Sequence, residues 1–273
     1  MVDSPSRVPA DVDITRPSVA RVYDFYLGGS HNFEADREFA RKVLATTPEV
    51  PIIVQENRAF LRRAVRHLCA AGIDQFLDLG SGIPTVGNVH EVAQQVNPQA
   101  RVVYVDNDPI AVTHSQRLLT DDDQTTVVDA DIRNPDGVLA DPAVHTHLNL
   151  DRPVAVLLVA VLHFIADDEH PAAFISDYMH AVGSGSYLVI SHGSTDGQPV
   201  AAAGSQEIFN RPGSGSPGPM RLRSREEITA LFGDLTIIEP GVVRTPQWRP
   251  DAPGDVPTDV EIYPGFAGVG RHD

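Results

Sequence analysis

The sequence of 273 residues is long enough for one large α/β domain, and its 42% hydrophobic and 21% charged residues exclude a chain that is disordered throughout. A formal net charge of −16 disfavours contact with phosphate backbones and anionic lipid, so we expect neither nucleic acid nor a membrane as partner. Cys69 is the single cysteine, which excludes an internal disulfide, and no apolar run is long enough to cross a bilayer. These features predict a cytoplasmic protein.

The first part of the chain is predicted to be helical. Residues 1–14 are polar, contain prolines and show no periodicity, so we expect a flexible arm there. Residues 15–72 carry three helical patterns, each with an apolar stripe, and are expected to form an N-terminal helical cap. The predicted starts and ends of these helices are marked, in chain order, by Thr15, Gly28, Gly29, Asn32 and Pro51.

From residue 73 onward, short apolar segments typical of strands alternate with helical patterns. Such alternation predicts a mostly parallel sheet with helices on both faces, and the last strand is expected to be antiparallel. An almost continuous apolar run is typical of a central strand that is covered on both faces. Residues 73–273 therefore form the predicted Rossmann-like domain of the α/β class, with strands at 76–79, 101–105, 125–128, 154–161, 187–191, 235–238 and 260–269.

The segment 193–219 is rich in Gly, Pro, Ser and Ala. An irregular segment of that length in a compact domain is either functional or disordered, and both interpretations stay open. It leaves the sheet after a strand, at the edge where ligands bind, so it is placed where a substrate would enter. Ser224 and Glu227 then have the spacing of a capping box, which predicts another helix.

A glycine-containing turn follows the first predicted strand, in the stretch FLDLGSGIPT at 76–85. Because Gly80 and Gly82 lack a Cβ atom, the backbone can turn sharply and approach a ligand closely. This arrangement is typical of a nucleotide-cofactor loop. Glycines in strand-to-helix turns also serve packing alone, so the loop by itself leaves both readings open.

Acidic residues follow the next two strands. Asp106 ends the second strand, where a carboxylate can accept both hydroxyls of a ribose. Asp131 follows the third strand and can accept an adenine amino group, while Ile132 can lie against the ring. Either acid can instead cap the helix that follows it. Acidic residues occur at the ends of three consecutive strands, with Asp78 at the first. This repetition favours a cofactor site over a chance occurrence of capping acids.

The charge of this loop separates two classes of cofactor. In a dinucleotide fingerprint the third glycine position would be occupied here by Thr85, and Asp78 would repel a pyrophosphate. S-adenosylmethionine carries no phosphate, and its ammonium and sulfonium groups are attracted by a carboxylate. The sequence therefore favours S-adenosylmethionine over a nicotinamide dinucleotide, and it predicts no metal site.

Three further strings resemble a known family. They are RPSVARVYDFYLGG at 16–29, NRAFLRRAV at 57–65 and GNVHE at 87–91. With them the chain resembles the bacterial S-adenosyl methyltransferase family formerly catalogued as a domain of unknown function. The resemblance implies a Rossmann-like class I methyltransferase sheet with a helical N-terminal cap, and cofactor binding by the loop at Asp78, Gly80 and Gly82. Pro84 departs from the wider class I pattern, in which many members have a third glycine.

The resemblance also implies cofactor contacts from the cap. Arg58 can pair with the methionine carboxylate through two hydrogen bonds, although a position on a solvated helix face also explains this arginine. The full predicted set of cofactor contacts is Tyr23, His31, Asn32, Arg58, Asp78, Gly80, Ser81, Gly82, Asp106, Asn107, Asp131, Ile132 and Val161.

Two histidines are candidate catalytic bases. His163 follows the fourth predicted strand and His192 the fifth, and a histidine titrates near neutral pH. Packing or helix capping is the favoured interpretation of either histidine, and a role as catalytic base is the alternative. We therefore expect an S-adenosylmethionine-dependent methyltransferase that acts on a small-molecule acceptor. The alternatives are a regulatory protein that binds this cofactor without turnover and a nicotinamide-dependent oxidoreductase.

Overall fold

The computed structural model of the chain describes residues 13–84, 87–197 and 199–273. Most of the predicted arm and the fingerprint position Thr85 lie outside the described residues. Among the residues that are described, no helix has both the length and the hydrophobicity needed to cross a membrane.

Helix α1 (Val19–Tyr26) begins later than the capping prediction at Thr15. The backbone N–H and the hydroxyl of Thr15 both donate to the carboxylate of Asp13, so this side chain closes a local turn instead of capping the helix. The predicted end is confirmed. Gly28 has a positive φ of 77°, and its N–H donates to the carbonyl of Phe25, as is common just after a helix.

Helix α2 (Glu34–Thr46) begins after Phe33, so the prediction that Asn32 caps it was wrong. The side-chain amide of Asn32 donates to the Asp24 carboxylate at 2.7 Å and is therefore committed elsewhere. The N–H of Phe33 donates instead to Asp36, inside the first turn of the helix. The third helix, α3 (Val50–Ala70), begins one residue before Pro51, close to its predicted start.

The described residues contain eight strands in one sheet, in the order β3-β2-β1-β4-β5-β8-β6, with β7 paired to β8. Strands β1 to β5 are parallel, and β8 runs antiparallel to β5. The mostly parallel sheet with an antiparallel last strand is therefore confirmed. The strands are β1 (Gln75–Leu79), β2 (Arg101–Asp106), β3 (Thr125–Asp129), β4 (Ala155–Val159), β5 (Tyr187–His192), β6 (Thr236–Ile237), β7 (Val243–Arg244) and β8 (Phe266–Arg271).

The last strand differs from its predicted range of 260–269. Val260–Ile262 form a short 3₁₀ helix, and β8 starts only at Phe266. Within β8, the N-terminal residue Phe266 lies opposite His192 of β5. Small residues alternate through β8 at Gly268 and Gly270, where the side chain of Phe232, from the turn after residue 230, approaches the backbone closely.

Helices cover both faces of the sheet. Alternate residues of each central strand enter two different apolar clusters: Leu77 packs with Phe174 and Tyr178 on one face, and Phe76 packs with Phe60 and Trp248 on the other. Helix α3 is therefore part of the helical layer that covers one face of the sheet. The remaining helices are α4 (Val89–Val96), α5 (Pro109–Leu118), α6 (Pro135–Leu139), α7 (Pro142–His147), α8 (Pro171–Ala181), α9 (Pro199–Asn210) and α10 (Arg225–Ala230).

Helix α9 corrects the expectation that residues 193–219 are irregular. Its sequence contains alanines, which favour helix, and ends in an apolar pair that includes Phe209. The ring of Phe209 packs edge-on against Phe39 of α2, with centroids 4.9 Å apart. A third apolar cluster thus joins α1, α2 and α9. Downstream, the predicted capping box is confirmed, since Ser224 accepts the N–H of Glu227 and Glu227 accepts that of Ser224.

Candidate active site

A cavity of about 450 Å³ opens at the carboxyl ends of the parallel strands, beneath α1 and beside α3. This is the edge at which open α/β sheets bind their ligands. All but two of the predicted cofactor contacts line it, namely Tyr23, Arg58, Asp78, Gly80, Ser81, Gly82, Asp106, Asn107, Asp131, Ile132 and Val161.

His31 and Asn32 are the two that do not line this cavity. The ring of His31 packs against the ring of His114, with centroids 3.8 Å apart. Asn32 is buried and donates to the Asp24 carboxylate and to the carbonyl of Gly29. Both residues shape the connection from α1 to α2, so the geometry does not support the cofactor contacts expected of them.

The glycine loop is shaped by a close contact between two strand ends. Gly80 has a φ of 78°, which L side chains rarely adopt. A Cβ atom built on Gly80 would lie 2.5 Å from a methyl carbon of Val161, at the end of the neighbouring strand. The backbone N–H of Gly82 donates to the Asp106 carboxylate at 2.7 Å, which ties the loop to β2. The loop is thereby held against both adjacent strands.

Two buried carboxyl groups lie in this cavity with raised pKa values. The pKa of Asp78 is raised to about 7, mainly by burial; the charge of Arg58 opposes the shift, and the nearby Asp106 adds a smaller contribution to it. Burial likewise raises the pKa of Asp106 to about 6, against hydrogen bonds from backbone N–H groups that include those of Asp108 and Gly82. Removing two carboxylates from water is costly unless a cationic or hydrogen-bonding partner compensates. Such a pair is suited to a ligand that brings an ammonium and hydroxyl groups.

Asp131 lies at the rim of the same cavity and has a different environment. Its carboxylate accepts hydrogen bonds from the side chain of Arg133 at 2.9 and 3.0 Å, and these lower its pKa. Arg133 also pairs with Glu169. Asp131 is thus an ionised, firmly oriented acceptor beside the apolar side chain of Ile132, which is buried.

Two polar atoms in the wall of this cavity are buried and have no hydrogen-bond partner among the described residues: Nε of Arg58 and Oγ of Ser81. A Nη of Arg58 donates to the side chain of Asn88 at 3.1 Å, which fixes the guanidinium. A buried donor without an acceptor costs about 1–3 kcal/mol. A bound carboxylate would relieve that cost, so the donor set fits the methionine end of S-adenosylmethionine.

Helix α1 is fastened over the cavity by charged groups. The hydroxyl of Ser18 donates to the carboxylate of Asp108, which itself caps α5. Arg21 and Asp36 form an almost fully buried ion pair, with a nitrogen-to-oxygen distance of 3.0 Å, and Nη1 of Arg21 lies 4.0 Å from Asp108. The first turn of α1 is therefore joined to α2 and to the loop after β2.

A second cavity, of about 310 Å³, lies next to the first. Helices α1, α2, α3 and α9 form its outer wall, and the ends of β4 and β5 form its inner wall. The two cavities meet at residues that line both of them: Val19, Tyr23, Asn57, Ala160 and Phe164.

A chain of hydrogen bonds crosses the place where the cavities meet. The hydroxyl of Ser191 donates to the side-chain carbonyl of Asn57 at 2.6 Å, and the amide of Asn57 donates to the hydroxyl of Tyr23 at 2.9 Å. Tyr23 in turn donates to the carbonyl of Val54 at 3.3 Å. At the same place Ala160 has a φ of 58°, a strained conformation of the kind that clusters at functional sites.

His192 is held by both of its ring nitrogens. Arg223 donates to Nε2 at 2.8 Å, so Nδ1 carries the proton, which it donates to the carbonyl of Gly193 at 2.6 Å. Burial lowers the pKa of His192 well below its ordinary value. Because neither nitrogen is left to take a proton from a substrate, the geometry does not support His192 as a catalytic base.

His163 lines the second cavity, and its Nδ1 accepts the N–H of Gly193 at 3.5 Å. Burial, with a smaller contribution from the charge of Arg223, lowers its pKa to about 4. The ring is therefore neutral at neutral pH. Its position fits contact with an acceptor, whereas its weak basicity limits the proton transfer that it can drive.

Replacing His163 with glutamine should change how stability depends on pH. Between its ordinary pKa of 6.5 and its folded pKa of about 4, the histidine takes up a proton in the unfolded chain but not in the folded one, so its contribution to stability falls as the pH falls. We expect the free energy of unfolding of His163→Gln, relative to wild type, to rise by about 2 kcal/mol between about pH 7 and pH 5. Urea titrations at both pH values measure this difference, and a constant difference would contradict the lowered pKa.

Sequence reasoning did not single out Asn57, Ala160 or Phe164 as residues of the site. The signal for Asn57 was present, because it falls at the helical spacing of the buried residues Phe60 and Leu61. A polar side chain at a core position of a helix needs a partner. Ala160 has no comparable signal, since its backbone conformation is set by the packing of two strand ends.

Comparisons with known proteins agree with this geometry. A family model described as S-adenosyl methyltransferase matches residues 5–273. The crystal structure of a candidate methyltransferase from Thermobifida fusca YX is 42% identical, with a TM-score of 0.90 over 98% of this chain and 99% of the other. A DUF574 family protein from Streptomyces avermitilis MA-4680 is 37% identical, also with a TM-score of 0.90, over 96% of this chain and all of the other.

A more distant likeness shows the fold alone. An O-methyltransferase family protein from Burkholderia thailandensis is 13% identical, with a TM-score of 0.51 over 92% of this chain and 64% of the other. No protein with a curated description matches the sequence significantly. The family match covers nearly the whole chain. The chain therefore belongs to the S-adenosyl methyltransferase family and is a methyltransferase whose cofactor is S-adenosylmethionine.

Proposed function

We propose that the protein transfers a methyl group from S-adenosylmethionine to a small-molecule acceptor bound in the second cavity. The observation that carries this proposal is the contact between the two cavities at Tyr23, Asn57 and Ala160. A cavity walled by helices on one side and strand ends on the other suits a small molecule, because the acceptor must be aligned with the methyl group while water is excluded.

In this proposal the first cavity orients the cofactor through four groups. Ionised Asp78 pairs with its ammonium, and Arg58 pairs with its carboxylate. Asp106 accepts from the ribose hydroxyls, and Asp131 accepts from the adenine amino group beside Ile132. When bound, S-adenosylmethionine supplies a methyl group activated by a sulfonium. The protein needs no covalent nucleophile for this reaction.

The second cavity positions the acceptor in the same proposal. The ring of His163 faces an acceptor from the end of β4, in its neutral form, and contributes hydrogen bonding and shape. The hydrogen-bonded chain from Ser191 through Asn57 to Tyr23 fixes the place where the two ligands meet. In this proposal His163 and the hydrogen-bonded chain position the ligands and do not react with them.

Calorimetry on the purified protein tests the cofactor assignment. We expect S-adenosylmethionine and S-adenosylhomocysteine to bind in the micromolar range, and NAD to show no measurable binding, because Asp78 attracts an ammonium and repels a pyrophosphate. Equal affinities for NAD and S-adenosylmethionine would contradict the roles given to Asp78 and Arg58.

Transfer of labelled methyl tests the acceptor class. The protein is incubated with methyl-labelled S-adenosylmethionine and a bacterial cell extract that contains protein, nucleic acid and metabolites. We expect the label in the low-molecular-mass fraction. Label in protein or nucleic acid instead would overturn the small-molecule assignment.

A further inference from the structure

The wall of the second cavity has a distinct chemical character. Most of its side chains are apolar, and rings come from three separate helices or turns, at Tyr26, Phe164 and Phe209. Phe164 and Phe209 lie with centroids 5.8 Å apart. Among the described residues that line the cavity, Glu49 is the one charged side chain, and no lysine or arginine is present. The described wall thus offers no cationic side chain that would compensate a buried anion.

Several polar side chains of this wall already have hydrogen-bond partners, whereas the buried hydroxyl of Tyr26 has none among the described residues. The hydroxyls of Thr47 and Ser205 lie 2.7 Å apart, across the junction of α2 and α9. Ser191 donates to Asn57, and the hydroxyl of Ser194 accepts the N–H of Asp196 at 3.1 Å. An occupant of the cavity therefore finds few hydrogen bonds that are not already made. Its affinity has to come mainly from apolar contact.

The volume of the cavity limits the size of its occupant. An apolar cavity of about 150 Å³ is enough to hold a benzene ring. The second cavity has about twice that volume, at about 310 Å³. It is at the lower end of the range for ligand pockets, which run from about 300 to 1,000 Å³. The space matches about two fused rings.

We infer that the acceptor is an uncharged, largely apolar molecule of about two fused rings, with the group to be methylated directed at the place where the cavities meet. The inference rests on the proposed function and names the substrate class for the same site. In the reaction, the acceptor oxygen or nitrogen forms a bond to the methyl carbon as the bond from that carbon to sulfur breaks. The acceptor's proton is released, and S-adenosylhomocysteine remains.

Binding of 2-naphthol to the protein saturated with S-adenosylhomocysteine tests this inference by calorimetry. We expect one molecule to bind, and its carboxylated analogue 6-hydroxy-2-naphthoate to bind at least about tenfold more weakly, because the anion would be desolvated without a cationic partner. Equal or tighter binding of the carboxylate, or no binding of 2-naphthol, would overturn the inference.

Tryptophan substitutions locate the bound probe. Ile53 lines the cavity, whereas its neighbour Ile52 is 47% exposed and does not. Ile53→Trp should weaken 2-naphthol binding at least about tenfold by filling the cavity, and Ile52→Trp should leave it unchanged. Met220→Trp fills the same cavity from another segment and should act like Ile53→Trp. Unchanged binding in both cavity variants would overturn the inference.

Binding of S-adenosylhomocysteine separates this inference from the proposed function. All three tryptophan variants should keep wild-type affinity for it, which also shows that they fold. If the wild-type protein does not bind S-adenosylhomocysteine, the proposed function itself is contradicted. Retained S-adenosylhomocysteine binding without 2-naphthol binding would contradict only the acceptor class.

Discussion

Replacing Asp78 with asparagine should weaken S-adenosylmethionine binding by about 100-fold at neutral pH. The side chain is 6% exposed, so in the proposed binding mode its carboxylate would meet the cofactor's ammonium in a site shielded from water. Removing one partner of a buried charge pair costs about 2–5 kcal/mol, because the other charge is left uncompensated. Calorimetry measures the change. Asp129→Asn is the matched control, because Asp129 ends β3 at the same edge of the sheet but is exposed and does not line the cavity.

The same carboxyl group should make binding pH-dependent. Its pKa is about 7 in the free protein, and the ammonium binds the ionised form. Below pH 7 the cofactor binds by displacing a proton from most of the molecules, so the affinity should fall about fivefold between about pH 7 and pH 6, and change by about twofold or less above pH 7. In Asp78→Asn most of this slope should disappear, and the part that remains would come from Asp106, whose pKa is about 6. A wild-type affinity that is constant across this range would contradict the ion pair.

Gly80→Ala should abolish cofactor binding and lower the free energy of unfolding by about 2–4 kcal/mol. The new methyl group would need a backbone with a φ of 78° and would meet Val161 at 2.5 Å. The ends of β1 and β4 cannot move apart to make room for this methyl group without moving the glycine loop that lines the first cavity. Urea unfolding and calorimetry measure the two effects.

Gly72→Ala controls for the backbone alone. Gly72 has a φ of 95°, yet a Cβ atom there would have no atom within 4 Å, and the residue lies in the turn between α3 and β1. We expect a loss of about 1 kcal/mol in stability and unchanged cofactor affinity. If Gly80→Ala behaves no differently from Gly72→Ala, the contact with Val161 does not shape the site.

The alternation of strand and helix was predictable because buried strands and amphipathic helices have different periods. The acids at the strand ends were predictable for a related reason: parallel strands bring their carboxyl ends to one edge of the sheet. Asp78, Asp106 and Asp131 therefore share a cavity although each lies at the end of a different strand. The contacts of these three carboxyl groups with the cofactor are what the calorimetry experiments test.

Features that depend on competition between partners were not predictable. Asn32 has the right character for a helix cap, but the buried Asp24 takes its amide. Residues 199–210 looked irregular because glycine, serine and proline surround them, and the helix is completed by packing of Phe209 against Phe39. The second cavity had no signal in the sequence, because its walls come from helices far apart along the chain.

In the proposed binding mode, helix α3 fixes the distance between the cofactor and the acceptor. Ile53 lines the second cavity, Asn57 lies where the cavities meet, and Arg58 lines the first. Because an α-helix rises about 1.5 Å per residue, the distances between these three residues along α3 are fixed. The helix packs on the sheet as one rigid element. The distance between the two ligands is thus set independently of α2 and α9. Relatives with other acceptors are expected to diverge in those two helices, while the spacing along α3 stays constant.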